Sequence, residues 1–250
     1  MKSIPRGFVS KGLGAVLLFV AALVGCTKMP TKPTHYIFVP DISASIEATA
    51  CQQTLEAITV FAAHMNRGDT LTIIPITGDA GGETQGRVIR LSVPTAREPY
   101  DQDLKRFQST VRDQLVELEA QANASPGDRT DIVGTLRIVA EEIGSYDKGD
   151  TTFVAILSDF IQDSRDLDFN TDLRLSDDTG ARALAIRECK SDEYHLGAAV
   201  QLGHIKSKDW AKLSRGRRHA IEQFWTTCMS SAGARARFAT DGLAAFNRNK

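Results

Sequence analysis

From residue 35 onward, short apolar runs alternate with stretches in which apolar residues recur every three or four positions. "HYIFV" predicts a short buried strand. From Ile46 to Met65, apolar residues at 51, 55, 58, 62 and 65 share one helical face. "TLTIIPI", opened by the turn signal "RGD", predicts a second strand, and "GRVIRLSV" a third beyond the Gly-rich "TGDAGGETQ". Leu104, Phe107, Val111, Leu115 and Leu118 mark a second helical face; Ile132, Leu136, Val139 and Ile143 mark a third. "TTFVAILSDF" is apolar enough to be a central strand covered on both faces. "YHLGAAVQLGHI" predicts another strand, and Ile221, Phe224, Trp225 and Cys228 the buried side of a last long helix. "RARFAT" follows as a short edge strand. Strands alternating with helices predict an α/β domain with a largely parallel sheet. Residues 161–192 fit no element. They carry Asp163, Asp166, Asp168, Asp172, Asp177 and Asp178 and predict a long loop, either functional or a solvated insertion.

Candidate chemistry collects at the ends of these strands, where open α/β sheets bind ligands. Asp41, Ser43 and Ser45 alternate just past the first strand, in "FVPDISASI". Asp159 ends the strongest strand. Thr130, in "DRTDIVGTL", stands just before a helix whose start faces the same edge. A single helix cap needs one such residue; three segments converging on one rim suit a hard, oxygen-preferring cation. With no His or Cys among them, the candidates are Mg²⁺ first, then Mn²⁺ or Ca²⁺, rather than zinc.

These residues resemble the metal-ion-dependent adhesion site of von Willebrand factor type A (vWA) domains. That site combines an Asp-x-Ser-x-Ser motif with a Thr and a second Asp from separate loops. "DISAS" matches the motif, Thr130 the threonine and Asp159 the second aspartate, and the element order matches over nearly all of residues 35–250. The resemblance implies a Rossmann-like fold: a mostly parallel central sheet, helices on both faces and one antiparallel edge strand. It also implies a divalent cation held by Asp41, Ser43, Ser45, Thr130 and Asp159. An acidic residue of a protein partner would complete the metal shell. Two positions depart from the family pattern: Phe160 stands where a small residue is common, and Pro40 where an aliphatic one is usual. Two carboxylates crowded at one edge also predict that removing either relieves repulsion in the metal-free protein.

The first residues change the picture of location. Lys2, Arg6 and Lys11 precede the uncharged "GLGAVLLFVAALVG", which is shorter than the roughly 20 residues of a comfortable span. It ends in "LVGC", which resembles a bacterial lipobox with Leu23, Gly25 and Cys26. Residues 1–25 therefore predict a lipoprotein signal peptide, Cys26 the lipidated residue, and 26–34 a tether roughly 25 Å long in extended form. The domain spans 35–250. The expected location is the bacterial cell envelope, anchored to the membrane through lipid. Thr27 after the cysteine points to the periplasmic side of the outer membrane if the source is Gram-negative.

Export also makes a disulfide plausible among Cys51, Cys189 and Cys228, with three reduced thiols as the alternative. Cys228 on the last helix and Cys189 ahead of a neighbouring strand favour a Cys189–Cys228 pair. The formal net charge of -1 gives no general attraction to nucleic acid. No G-x-S-x-G, G-K-[ST] loop or H-E-x-x-H occurs, so no catalytic constellation is found. A metal-assisted phosphoester hydrolase remains the enzymatic alternative, and a metal-free envelope scaffold the inert one.

Overall fold

The computed structural model describes residues 32–124, 127–147, 149–190 and 195–239. Cys26 and the whole apolar N-terminal run lie outside the described residues. Among the described residues no helix is long and apolar enough to cross a membrane.

Six strands form one sheet: β1 (Thr34–Pro40), β2 (Thr70–Ile73), β3 (Ile89–Ser92), β4 (Thr151–Ser158), β5 (Ala199–His204) and β6 (Arg235–Ala239). Their order is β3-β2-β1-β4-β5-β6. Every neighbouring pair is parallel except β2–β3, which makes β3 the antiparallel edge. The order reverses between β1 and β4. Chain connections leave those two strands in opposite directions, so their C-terminal ends flank an open crevice.

Both faces are covered. The predicted helical faces become α1 (Ala48–Ala62) and α2 (Gln102–Ala124) on one side of the sheet. On the other lie α3 (Ile132–Gly144), α4 (Asp178–Glu188) and α6 (Arg215–Ser231), with the one-turn α5 (Lys208–Lys212) between β5 and α6. Val154, Ala155 and Ile156 of β4 are fully buried, with alternate residues in the two cores, as a central strand requires. Trp225 and Phe224 of α6 are likewise fully buried against Phe169. Each such side chain contributes roughly 1.5–3 kcal/mol of burial.

Residues 161–192 are not a single loop. They hold a 3-10 turn at Leu173–Ser176 and the eleven-residue α4. The buried side of α4 is Ala181, Leu184 and Ala185, so two of its three core residues are alanine and the apolar period is faint. Asp177 caps it by accepting from Gly180 N at 2.8 Å. A Cβ on Gly180 would come within 2.2 Å of Arg174 O, so this turn requires glycine. Asp168 and Asp172 accept from backbone N–H groups two residues on, so these acids build turns. Cys189, the C-cap of α4, is disulfide-bonded to Cys228 of α6, and Cys51 is a buried free thiol.

The Gly-rich "DAGGET" also has structure: Ala80–Thr84 form a short π-helical turn capped by Asp79. "RGD" is turn chemistry. Gly68 has φ +89°, and the buried Asp69 accepts from Thr34 N (2.9 Å) and Asn66 N (2.8 Å).

Candidate metal centre at the sheet edge

β1 ends at Pro40, and the chain stays tied to the sheet for one more residue: Asp41 N donates to Leu157 O at 2.8 Å, and Pro40 O accepts from Ile76 N at 2.8 Å. Pro40 thus costs the strand end nothing that these bonds do not supply. Asp41 is fully buried, in register with the crevice between β1 and β4.

Its carboxylate is a hub. Ser43 N and Ser43 Oγ donate to Oδ1 at 3.0 and 2.6 Å, and Ser158 Oγ donates to Oδ2 at 2.6 Å. Ser43 Oγ in turn accepts from Thr130 Oγ1 at 3.0 Å and lies 3.0 Å from Ser45 Oγ. Ser43 has one hydroxyl proton and gives it to Asp41, so Ser45 is the donor in that contact. Four of the five predicted residues (Asp41, Ser43, Ser45 and Thr130) therefore form one connected chain of oxygens. Burial pushes the Asp41 carboxyl above the usual range, against the pull of the Ser158 and Ser43 hydrogen bonds.

Backbone bonds brace the three loops. Ala44 N donates to Gly127 O (3.0 Å), Asp131 N to Thr77 O (2.8 Å), and Thr130 and Asp163 exchange bonds of 2.8 and 2.9 Å. Asp131 caps α3 through Gly134 N (3.0 Å), so Thr130, one residue earlier, is free of capping and turns toward Ser43.

Asp159, the fifth residue, follows β4 and is fully buried. Oδ1 accepts from Ile161 N at 3.0 Å; Oδ2 has no partner. Burial first, and the charge of Asp41 second, push this carboxyl up to about 7. The nearby Ser207 hydroxyl acts against the rise but leaves Oδ2 without a hydrogen bond. A buried carboxylate oxygen left unpaired costs desolvation that native structures rarely tolerate. A bound proton or a cationic partner would relieve that cost. The residues present fit a hard divalent ion: two carboxylates and three hydroxyls. Among the described residues there is no cluster of three or more His, Cys, Asp or Glu. Hydroxyl and carboxylate oxygens as a class suit a hard cation better than a softer metal.

Phe160 adopts φ +62°, the left-handed region that favours glycine, which is why a small residue is natural there. Here the bulky side chain is held in place. It is buried against Phe238 and Trp225, and its carbonyl accepts from Trp225 Nε1 at 2.9 Å.

Three residues that shape the rim were not singled out from the sequence. Ser158 bridges β4 to Asp41, and strand alternation in "AILSD" was the available signal. Gln162 is fully buried and satisfies the start of α3. Its Oε1 accepts from Ile132 N (2.8 Å) and Val133 N (3.1 Å), while Nε2 donates to Asp131 (3.0 Å). His204 closes β5 in register with Ser158, so a histidine does stand beside the rim, on a fourth segment. Its Nε2 and Asp159 Oδ2 are the two buried side-chain nitrogen or oxygen atoms without a partner among the described residues.

The sequence matches no protein-family model and no curated protein. Solved structures that it is similar to include the conserved hypothetical protein BatB from Bacteroides thetaiotaomicron, at 11% identity over 86% of this chain and 94% of that one, TM-score 0.44. An aerotolerance-related membrane protein from Bacteroides fragilis is similar at 14% identity over 86% and 95%, TM-score 0.42. The human COPII-coat protein Sec24c is similar at 10% over 86% and 31%, TM-score 0.42. Identities of this order say nothing about activity.

Proposed function

We propose that this chain is a lipid-anchored envelope protein whose vWA-like domain binds a divalent cation, Mg²⁺ foremost, and through it a protein partner. The observation that carries the reading is the unpartnered, buried Asp159 Oδ2 beside the hydrogen-bonded oxygens of Asp41, Ser43, Ser45 and Thr130. Ser43 and Ser45 would contribute neutral oxygens; Asp41, Thr130 and Asp159 would complete the shell directly or through water. When bound, the ion would supply positive charge and a coordination position for an anionic oxygen. Two carboxylates only balance its charge, which favours an Asp or Glu of the partner as the remaining ligand. What the protein itself does is hold these oxygens on braced loops at the end of a rigid sheet.

The test is calorimetric titration of Mg²⁺ and Mn²⁺ into the wild type and Asp41→Ala, followed by partner capture from detergent-solubilised envelope with and without EDTA. Binding is expected in the wild type alone, and capture is expected to vanish with EDTA and return with the cation. Equal cation affinity in both proteins would return "DISAS" to a helix cap, and no binding in either would leave a metal-free scaffold. Metal-dependent hydrolysis of p-nitrophenyl phosphate, lost in Asp41→Ala, would replace the binder with a hydrolase.

Anchoring rests on the charged start, the short apolar run and "LVGC". Cys26→Ser is expected to abolish fatty-acid labelling and leave uncleaved precursor. Labelling that persists in the variant would exclude Cys26 as the modified residue.

A further inference from the structure

Six of the fourteen residues from Lys206 to His219 are lysine or arginine and one, Asp209, is acidic, in a chain whose formal net charge is -1. This cationic segment starts at the candidate metal centre. Ile205 N donates to Ser158 O at 2.8 Å, one residue before Asp159. The negative charge of Asp209 raises the Asp159 carboxyl, and the Ser207 hydroxyl acts against that rise, so both lie close to it. Some of the positive charge is engaged: Lys212 pairs with Asp209 at 2.8 Å, Arg218 Nε donates to Leu213 O at 3.0 Å, and Arg217 donates to Phe169 O at 2.5 Å. Lys206, Lys208 and Arg215 are exposed and form no ion pair among the described residues.

Between α5 and the start of α6 lies a cleft of about 670 Å³, lined by Trp210, Arg215, Gly216, Arg218, His219 and Glu222. Trp210 leans on His204, with ring centroids 4.5 Å apart, so one wall is aromatic and fixed against β5. The field of the segment reaches that ring: burial first, then the charges of Lys206 and Arg218, push His204 down to about 4.

We propose that this cleft, with Lys206 and Lys208 at its approach, is a second contact for the partner. Its occupant is an acidic protein segment that gives one carboxylate to the rim and its neighbouring carboxylates to Lys206, Lys208 and Arg215. The inference rests on the cation reading of Asp41 and Asp159, and it adds the chemistry of the partner beyond the metal-bound residue. Lysine and arginine without ion pairs, on the segment that leaves the rim at Ile205 and enters the cleft at Arg215, complement an acidic chain and repel a basic one. A concave cleft with an aromatic wall suits a chain segment better than the flat surface of a bilayer.

The probe is fluorescein-labelled octaglutamate, followed by anisotropy against the full chain in Mg²⁺ or EDTA at one ionic strength. The variant is Lys206→Glu/Lys208→Glu/Arg215→Glu, three exposed positions outside the rim. The wild type is expected to bind the peptide in Mg²⁺ and to weaken as salt rises. The variant is expected to lose about tenfold or more in peptide affinity while its Mg²⁺ affinity stays within about threefold of wild type. Charge reversal without effect, with EDTA still releasing the peptide, overturns the second contact and leaves the cation reading standing. Weakening by charge reversal with no response to EDTA overturns the cation reading, and the shared segment with it. Octaglutamate unbound by the wild type, with phosphatidylglycerol vesicles bound and then lost on reversal, assigns the patch to a membrane and overturns the proposal.

Discussion

Asp159→Asn is expected to make the metal-free protein more stable at pH 8 and to remove its response to Mg²⁺. The carboxyl is fully buried with Oδ2 unpartnered, and burial together with the Asp41 charge pushes it up to about 7. In an unfolded chain an aspartate titrates near ~3.9. Between those values the folded protein holds a proton that the unfolded chain has released. The stability tied to this group is therefore complete below about pH 4 and is lost as pH rises through about 7. A difference of about three pH units corresponds to about 4 kcal/mol at most.

Asparagine keeps the shape without the charge and recovers much of that loss at high pH. Urea unfolding at pH 5 and pH 8, with EDTA and with Mg²⁺, reads both effects. The wild type is expected to lose stability between the two pH values in EDTA. Saturating Mg²⁺ restores it, by about 2.7 kcal/mol at a hundredfold excess over Kd. The variant is expected to lack the Asp159 part of the pH slope, keeping what Asp41 and His204 contribute, and to lose the Mg²⁺ response. A variant with the wild-type pH slope would exclude Asp159 as its source, and one still stabilised by Mg²⁺ would exclude it as a ligand.

Asp41 behaves differently, although in the sequence the two carboxylates look alike. Ser43 N, Ser43 Oγ and Ser158 Oγ all donate to it, so Asp41→Ala orphans three buried donors. Each orphaned donor costs roughly 1–3 kcal/mol where water cannot replace the acceptor. The metal-free Asp41→Ala protein is thus expected to be less stable than wild type. Removing either carboxylate relieves the repulsion between Asp41 and Asp159, but at Asp41 the orphaned donors outweigh that relief.

Breaking the Cys189–Cys228 bond is the other large effect. The cysteines are 39 residues apart in sequence. In the chain-entropy account a closed loop of that size stabilises the fold by about 4 kcal/mol, on the order of 10 °C in Tm for a chain of this length. The loss should fall on α4, whose buried side offers only Ala181, Leu184 and Ala185 to α6. Cys189→Ala/Cys228→Ala is therefore expected to melt earlier and to expose amides 178–188 to hydrogen exchange before the rest of the domain. A melting temperature unchanged by the double substitution would show that packing alone holds α4 in place.

Much of this protein is legible without coordinates. Apolar residues repeating with helical period mark α1, α2, α3 and α6, because each must bury one stripe against a sheet. The uninterrupted apolar run of β4 marks the central strand, because both its faces are covered. "DISAS" and Asp159 stand out because they fall at strand ends, and Thr130 because it falls just before a helix that starts at the same edge, positions that element order sets.

What local pattern could not supply lies in contacts between distant segments. α4 escapes because an alanine face packs closely while carrying little apolar signal. Gln162 satisfies a helix that begins 30 residues earlier. Phe160 keeps its left-handed backbone because Trp225 and Phe238 enclose its ring. The difference between Asp41 and Asp159 is of the same kind. Both are aspartates at strand ends, and only the folded chain determines that one meets three donors and the other leaves an oxygen unpaired.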